Sequence, residues 1–181
     1  MRIGREIAVC AGMLLMATQG IAQQPAPQAK VDWTAFLPAG EGKIQTSTQC
    51  VSCHTLQAVI TDRRGDDAEW LGIVQTMVYV KNAPIADDDI PIIAGYLAKY
   101  FGPSTPKLEM PVRINVNTAP KQVLLMIGTL SEEDVQKIIE QRAKQKIANL
   151  QSLQAVVGPG KLDTYDSVIR FNDEPEGSSA K

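Results

Sequence analysis

The spacing of hydrophobic and polar residues along this chain predicts helices joined by short polar turns. Three segments repeat apolar residues three and four positions apart: Asp66 to Val80, Asp87 to Phe101 and Ser131 to Gln145. This spacing is typical of amphipathic helices that bury one face. Two further helices are predicted at Lys43 to Leu56 and at Leu162 to Arg170. The pattern therefore predicts an all-α fold.

The first 22 residues have the features of an export signal. Arg2 and Arg5 precede an apolar stretch from Ile7 to Ala17, and small residues lead to a plausible cleavage site after Ala22. The apolar stretch is shorter than the roughly 20 residues that span a bilayer. A buried helix or an uncleaved anchor is the alternative. We therefore expect a periplasmic or secreted protein that has no membrane span after signal cleavage.

Composition and proline content then indicate how the rest of the chain is organised into domains. A length of 181 residues with 44% hydrophobic and 21% charged residues excludes a disordered chain and a disulfide-dense mini-protein. Three prolines between Gly102 and Pro111 predict a stiff linker. The predicted organisation is a signal peptide at 1–22, a first domain at 23–103, a linker at 104–111, a second domain at 112–171 and a disordered polar tail at 172–181.

One pentapeptide carries recognisable chemistry. The chain has three cysteines and one histidine, and one of the cysteines lies inside the predicted signal peptide. The others form Cys-x-x-Cys-His with the histidine, as Cys50, Cys53 and His54, which is the attachment signature of c-type haem. The two thiols would form thioethers with the porphyrin, and the adjacent imidazole would be the proximal iron ligand. The motif predicts one covalently bound haem c.

Other interpretations of the pentapeptide have less support. Export to an oxidising compartment would permit a disulfide between the two cysteines. A thioredoxin-like redox pair requires a strand before the motif, whereas residues 44–49 are polar and helical in pattern. A four-ligand zinc site would need further ligands, and the sequence has no second Cys/His cluster.

The surroundings of the motif, Val31 to Gly102, resemble class I c-type cytochromes. Gly42 stands eight residues before the first motif cysteine, as in that family, whereas Thr46 replaces the family's aromatic residue. Leu97 and Tyr100 match the aliphatic and aromatic pair of the family's closing helix, which crosses the first helix near the glycine. The resemblance implies a small all-α monohaem cytochrome c domain that transfers single electrons.

The sixth iron ligand is chosen by elimination. Because His54 is the sole histidine, Met/His ligation is the usual remaining pairing. In class I cytochromes the ligand methionine precedes the closing helix, and among the methionines outside the signal only Met77 does so. Met77 is the predicted ligand, with Met110 or an open site as alternatives. Arg63 and Arg64 are candidates for pairing with haem propionates.

Beyond the linker, residues 112–171 resemble the helix-hairpin-helix domains of bacterial DNA-uptake receptors and secretion-pilin proteins. The resemblance rests on the segment from Ile114 to Ala119, the apolar run after it, and two predicted hairpins at Met126–Leu130 and Val156–Gly160. Such hairpins can hold a phosphate with glycine backbone and helix N-termini.

The distribution of charge favours a protein partner over nucleic acid for this second domain. Residues 112–171 carry eight Lys or Arg and six Asp or Glu, a mild balance for nucleic acid. Three acidic residues after the first hairpin would repel a phosphate: Glu132, Glu133 and Asp134. Gly158, Gly160 and Lys161 form a better anion site at the second hairpin.

Taken together, the patterns predict an exported monohaem cytochrome c that is an electron carrier and not an enzyme. Residues 30–103 contain nine acidic and six basic residues, which favours a redox partner with a basic docking face, such as a dehydrogenase or a terminal acceptor. The second domain would dock onto a partner. The alternatives are a haem enzyme or gas sensor with an open sixth site, and a module that tethers the chain to nucleic acid or to a complex.

Overall fold

A computed structural model describes residues 31–172, and these residues form a mostly helical unit, as predicted. The predicted signal peptide and residues 173–181 of the predicted tail lie outside the described residues. The elements in chain order are a 3-10 helix at Trp33–Phe36, α1 at Lys43–Gln49, a 3-10 helix at Cys50–Ser52, α2 at Gln57–Thr61, α3 at Asp67–Tyr79, α4 at Asp89–Tyr100, β1 at Ile114–Asn115, α5 at Lys121–Leu125, α6 at Glu132–Lys144, α7 at Leu150–Val157, a 3-10 helix at Asp163–Tyr165 and β2 at Ile169–Arg170.

Helix α1 is shorter than predicted, because it ends at Gln49 and not at Leu56. The chain tightens into a 3-10 turn at Cys50–Ser52 and then bends, and residues 51–55 are all exposed. Without an apolar face to bury, a continued helix would gain little from packing, which supplies most helical stability in proteins. Leu56, which is fully buried, anchors the chain again where α2 begins.

The crossing of α1 and α4 occurs at the predicted glycine. Gly42 has a φ of 88° at the start of α1, a left-handed conformation that favours glycine. A Cβ atom there would lie 2.6 Å from the Cβ of Tyr96 and 2.9 Å from the carbonyl oxygen of Ile92. Glycine therefore permits the backbone of α1 to approach α4 closely.

Helices α3 and α4 form where the hydrophobic pattern predicts them, within two residues at each end. Asp66 begins α3 with a capping box, in which its side chain accepts from the Glu69 N–H and the Glu69 side chain accepts from the Asp66 N–H. The two helices pack against each other, and the buried Trp70 indole donates to the carbonyl of Phe101 at 3.1 Å.

The predicted linker lies against the helices before it. Thr105 is buried and donates to the carbonyl of Tyr100. The Arg64 guanidinium donates to the carbonyls of Thr105 and Pro106 at 2.9 and 2.6 Å, and the Leu108 N–H donates to the carbonyl of Thr61. The segment therefore contributes to the packing of the first part of the chain.

The prediction of a last helix from Leu162 to Arg170 is wrong. Residues 163–165 form a 3-10 turn, and Ile169–Arg170 form strand β2, which pairs in parallel with β1 in the register Ile114 with Ile169. The N–H groups of Ile114 and Val116 donate to the carbonyls of Val168 and Arg170 at 2.9 and 3.0 Å. Pairing with a strand 55 residues earlier satisfies the backbone N–H and C=O groups, and a local pattern does not reveal such a partner.

One hydrophobic core runs through the described residues from Trp33 to Ile169. The two predicted domains thus lie in a single compact unit that begins at Val31. The division into domains at 23–103 and 112–171 stays a prediction. None of the helices between residues 31 and 172 is long and apolar enough to cross a membrane.

Candidate functional site

The motif residues Cys50, Cys53 and His54 lie in the turn between α1 and α2. Cys50 is half-buried against the core, whereas Cys53 and His54 are exposed. The Nδ1 atom of His54 lies 2.8 Å from the carbonyl oxygen of Thr55. With the proton on Nδ1, the imidazole would donate to this carbonyl and keep the Nε2 lone pair free for a ligand bond.

A cavity of about 460 Å³ lies beside the motif. Its walls combine the first 3-10 helix with the motif turn, and its lining residues are Val31, Asp32, Trp33, Thr34, Val51, Ser52, Cys53, His54, Thr55 and Leu56. The volume falls within the range of about 300–1,000 Å³ that is typical of small-molecule sites. The single imidazole of the chain and one thiol therefore face a space of cofactor size.

The two motif thiols are free and differ in their surroundings. Burial raises the pKa of the Cys50 thiol to about 11, so this thiol is protonated at neutral pH. Within residues 31–172, no group of three or more His, Cys, Asp or Glu side chains could hold a metal ion.

The two candidate methionines lie on different parts of the structure. Met77 is half-buried on α3, and its carbonyl accepts the N–H of Ala83 at 2.8 Å. Met110 is 53% exposed in the segment after Thr105. Neither is among the residues that line the cavity beside His54. The assignment of Met77 as an iron ligand stays a prediction.

Arg64 has a structural role that the sequence did not reveal. Its guanidinium donates to five backbone carbonyls, at distances from 2.6 to 3.3 Å: those of Val59, Ile60, Arg63, Thr105 and Pro106. It also lies 5.7 Å from the ring centroid of Phe101. These contacts tie α2 to the segment after α4. Arg63, by contrast, is exposed.

The first hairpin of the C-terminal part is covered by the chain itself. A Cβ atom at Gly128 would overlap the carbonyl oxygens of Ala35 and Leu37. The Lys43 ammonium donates to the carbonyl of Gly128 at 2.9 Å, and burial lowers the pKa of this lysine. The glycine that would approach a phosphate in a nucleic-acid-binding hairpin instead contacts residues 35–43.

The N-terminus of α6 is closed by a buried carboxylate. Ser131 and Asp134 form a capping box, and both Asp134 oxygens accept from the Lys161 ammonium at 2.8 and 2.7 Å. Burial by itself would raise the pKa of Asp134, but the hydrogen bonds from Lys161 and Ser131 outweigh it and hold the pKa below its usual value. The Ser-x-x-Asp spacing predicts the cap; nothing local predicts the lysine.

The glycines of the second hairpin have free space around them, but the lysine beside them is bound to a carboxylate. Gly158 and Gly160 have positive φ angles of 95° and 79°, and a Cβ atom at either position would meet nothing within 4 Å. Lys161, which was predicted to complete an anion site with these glycines, is bound to Asp134. The structure therefore places the ammonium on an internal carboxylate.

Residues 114–170 match the family model of the type II secretion system protein K. The match falls within the segment predicted to be the second domain. It begins at β1 and ends at β2, so it contains both hairpins and helices α5 to α7. No curated protein and no solved structure matches the chain.

The match corrects the functional part of the sequence analysis. The identification of the chain as an electron-carrying class I cytochrome c is wrong, because the family match is to a secretion-system component. The expected redox partner with a basic face loses its support for the same reason. The likeness of residues 112–171 to DNA-uptake receptors is replaced by the protein K match. Among residues 31–172, no group of three or more His, Cys, Asp or Glu side chains could hold a metal ion. Haem, iron and metal binding therefore gain no support from the described residues.

A weak signal for this match was present in the sequence. The segment from Ile114 to Ala119 suggested secretion-pilin proteins as well as DNA-uptake receptors. The motif at residues 50–54, in the part of the chain outside the match, drew the functional hypothesis toward electron transfer. Covalent haem at Cys50, Cys53 and His54 is untested and stays a prediction.

Proposed function

We propose that this chain is a non-enzymatic component of a secretion assembly of the cell envelope, and that residues 114–170 dock onto other proteins of that assembly. The observation that carries the proposal is the match of these residues to the type II secretion system protein K. An exported location, as the N-terminal sequence predicts, agrees with such a role.

The geometry of the hairpins favours a protein partner over nucleic acid. A phosphate at the first hairpin would have to displace residues 35–37 from Gly128. At the second hairpin it would have to compete with Asp134 for the Lys161 ammonium, which is only 39% exposed. Nucleic-acid affinity depends strongly on free cations that neutralise phosphates. The docking surface would instead be the exposed sides of α6 and α7.

Site-specific photo-crosslinking in the native cell tests the proposal. A photoreactive amino acid replaces Gln136 on the exposed side of α6, and in a matched control it replaces Gln75 on the exposed side of α3. We expect Gln136, and not Gln75, to cross-link to proteins of the type II secretion system. Cross-links from Gln136 to nucleic acid, cross-links to unrelated proteins, or no specific product from Gln136 would contradict the proposal.

A further inference from the structure

Residues 33–40, which we call the strap, join the two parts of the described chain. Three tyrosine hydroxyls from two separate elements donate to carbonyls of the strap: Tyr96 to Pro38 at 2.7 Å, Tyr100 to Ala39 at 2.8 Å, and Tyr165 to Ala35. The first two tyrosines lie on α4, and the third lies in the 3-10 turn before β2. The strap is therefore fixed from both parts of the chain.

One side of the strap forms a wall of the cavity beside the motif. Trp33 and Thr34 line this cavity together with Cys53 and His54. Trp33 is 7% exposed, so most of its ring is held by packing. A change in what fills the cavity would act directly on this ring.

The other side of the strap rests on the protein K-like segment. The carbonyls of Ala35 and Leu37 lie against Gly128, which has no side chain to hold them away. The Phe36 ring contacts Trp33 at 5.7 Å between centroids and meets the Tyr165 ring edge-on at 5.9 Å. A continuous series of aromatic contacts thus leads from the cavity wall to residue 165.

We propose that the strap couples the cavity beside His54 to residues 114–170, so that the state of either region changes the other. Trp33 and Leu37 are only four residues apart, and the 3-10 helix Trp33–Phe36 joins them, with Ala35 in it accepting from Tyr165. Packed interiors change between discrete arrangements and do not deform continuously. A displacement of the Trp33 ring therefore alters the contacts of Ala35 and Leu37, and the coupling is reciprocal. This inference does not rest on the proposed secretion role.

The sole histidine of the chain gives the experiment an unambiguous reporter. In the full mature protein, the NMR signals of the His54 ring report on the cavity, and 5-fluorotryptophan signals report on Trp33. The signal of Trp33 is assigned by comparison with a Trp70→Phe variant. Gly128→Ala displaces the strap from the C-terminal side, and Tyr165→Phe removes the hydroxyl that donates to Ala35 and also interacts with Gly128 and Thr129.

Coupling predicts that both variants shift the Trp33 signal and the His54 ring signals. The matched control is Gly95→Ala on α4, where a Cβ atom meets nothing within 4 Å, and it should leave both unchanged. If Gly128→Ala does not fold, Tyr165→Phe alone decides the result. A shift of Trp33 with unchanged His54 signals would overturn the proposal, and so would variants that move neither reporter.

Discussion

The ion pair between Asp134 and Lys161 offers a sharp test of how the C-terminal part is held together. The Asp134 side chain is 6% exposed and both its oxygens accept from the Lys161 ammonium, which is itself 39% exposed. We predict that Asp134→Asn lowers the free energy of unfolding. With its oxygen in the Oδ2 position, asparagine can still accept from the N–H and hydroxyl of Ser131, so the cap is kept while the charge and the Oδ1 acceptor for Lys161 are lost.

The size of the loss follows from burial. Breaking a fully buried ion pair costs ~3–5 kcal/mol, and a hydrogen bond to a charged group contributes ~1.5–3 kcal/mol. Because Lys161 is partly exposed, water compensates for some of the loss, and we expect about 2 kcal/mol for Asp134→Asn. The matched control is Glu133→Gln. Its partner Lys137 lies at 2.7 Å, but the glutamate is 78% exposed. This change should cost at most ~0.5 kcal/mol.

Urea unfolding followed by circular dichroism measures both variants and a double-mutant cycle with Lys161→Met. The cycle should give an interaction free energy of about 1.5 kcal/mol, since each single change removes the same contact. If the two single effects add to within ~0.5 kcal/mol, or if Glu133→Gln costs as much as Asp134→Asn, the argument from burial is refuted.

The same pair should make stability depend on pH in a defined direction. The pKa of Asp134 in the folded protein lies below its usual value, because the hydrogen bonds from Lys161 and Ser131 outweigh the effect of burial. The stabilisation is therefore fully present above the unfolded pKa of about 3.9 and is lost as pH falls through the folded pKa. The difference between the wild type and Asp134→Asn should stay constant between about pH 5 and 7 and shrink below about pH 4.

Three further predictions concern the N-terminal part. Arg64→Met should lower the free energy of unfolding by about 3 kcal/mol, since its hydrogen bonds to carbonyls each contribute ~0.5–1.5 kcal/mol, whereas the exposed Arg63→Met should change it by at most ~0.5 kcal/mol. Similar urea midpoints for these two variants would contradict the structural role. Acid–acetone extraction of protein matured in an export-competent host should leave haem on the polypeptide, as a pyridine haemochrome spectrum would show. Haem in the organic phase, or no haem at all, would rule out thioether attachment. In such a holoprotein Met77→Ala should open the iron to carbon monoxide, and Met110→Ala should not.

Helix positions could be predicted where the determinants are local. Asp66 and Ser131 each start a helix, because each has an acidic residue three positions later that completes a capping box. The apolar spacing after them then indicates which face is buried. Where the competing interaction is remote in sequence, the prediction failed. Residues 162–170 were predicted to be helical, yet Ile169 pairs with Ile114.

For the candidate site as well, the arrangement of neighbouring residues could be predicted from the sequence, whereas contacts between distant residues could not. The sequence placed Cys50, Cys53 and His54 together, because neighbours in a pentapeptide stay neighbours in any fold. It could not predict that Trp33 lines the adjacent cavity, because this ring reaches the motif only through packing. The motif also directed the functional hypothesis toward electron transfer, whereas the family match lies in the other part of the chain.

By itself the sequence determined the mostly helical character of the described chain, the positions of its longest helices and the identity of the motif residues, since periodicity, capping and adjacency act over a few residues. The tertiary structure alone decided that the first hairpin is covered. Gly128 contacts Ala35, which lies more than ninety residues earlier in the chain. The Lys161 ammonium binds the carboxylate of Asp134, which lies twenty-seven residues earlier. Long-range contacts of this kind depend on the shape and charge of surfaces that exist only once the chain has folded, so no local pattern could determine them.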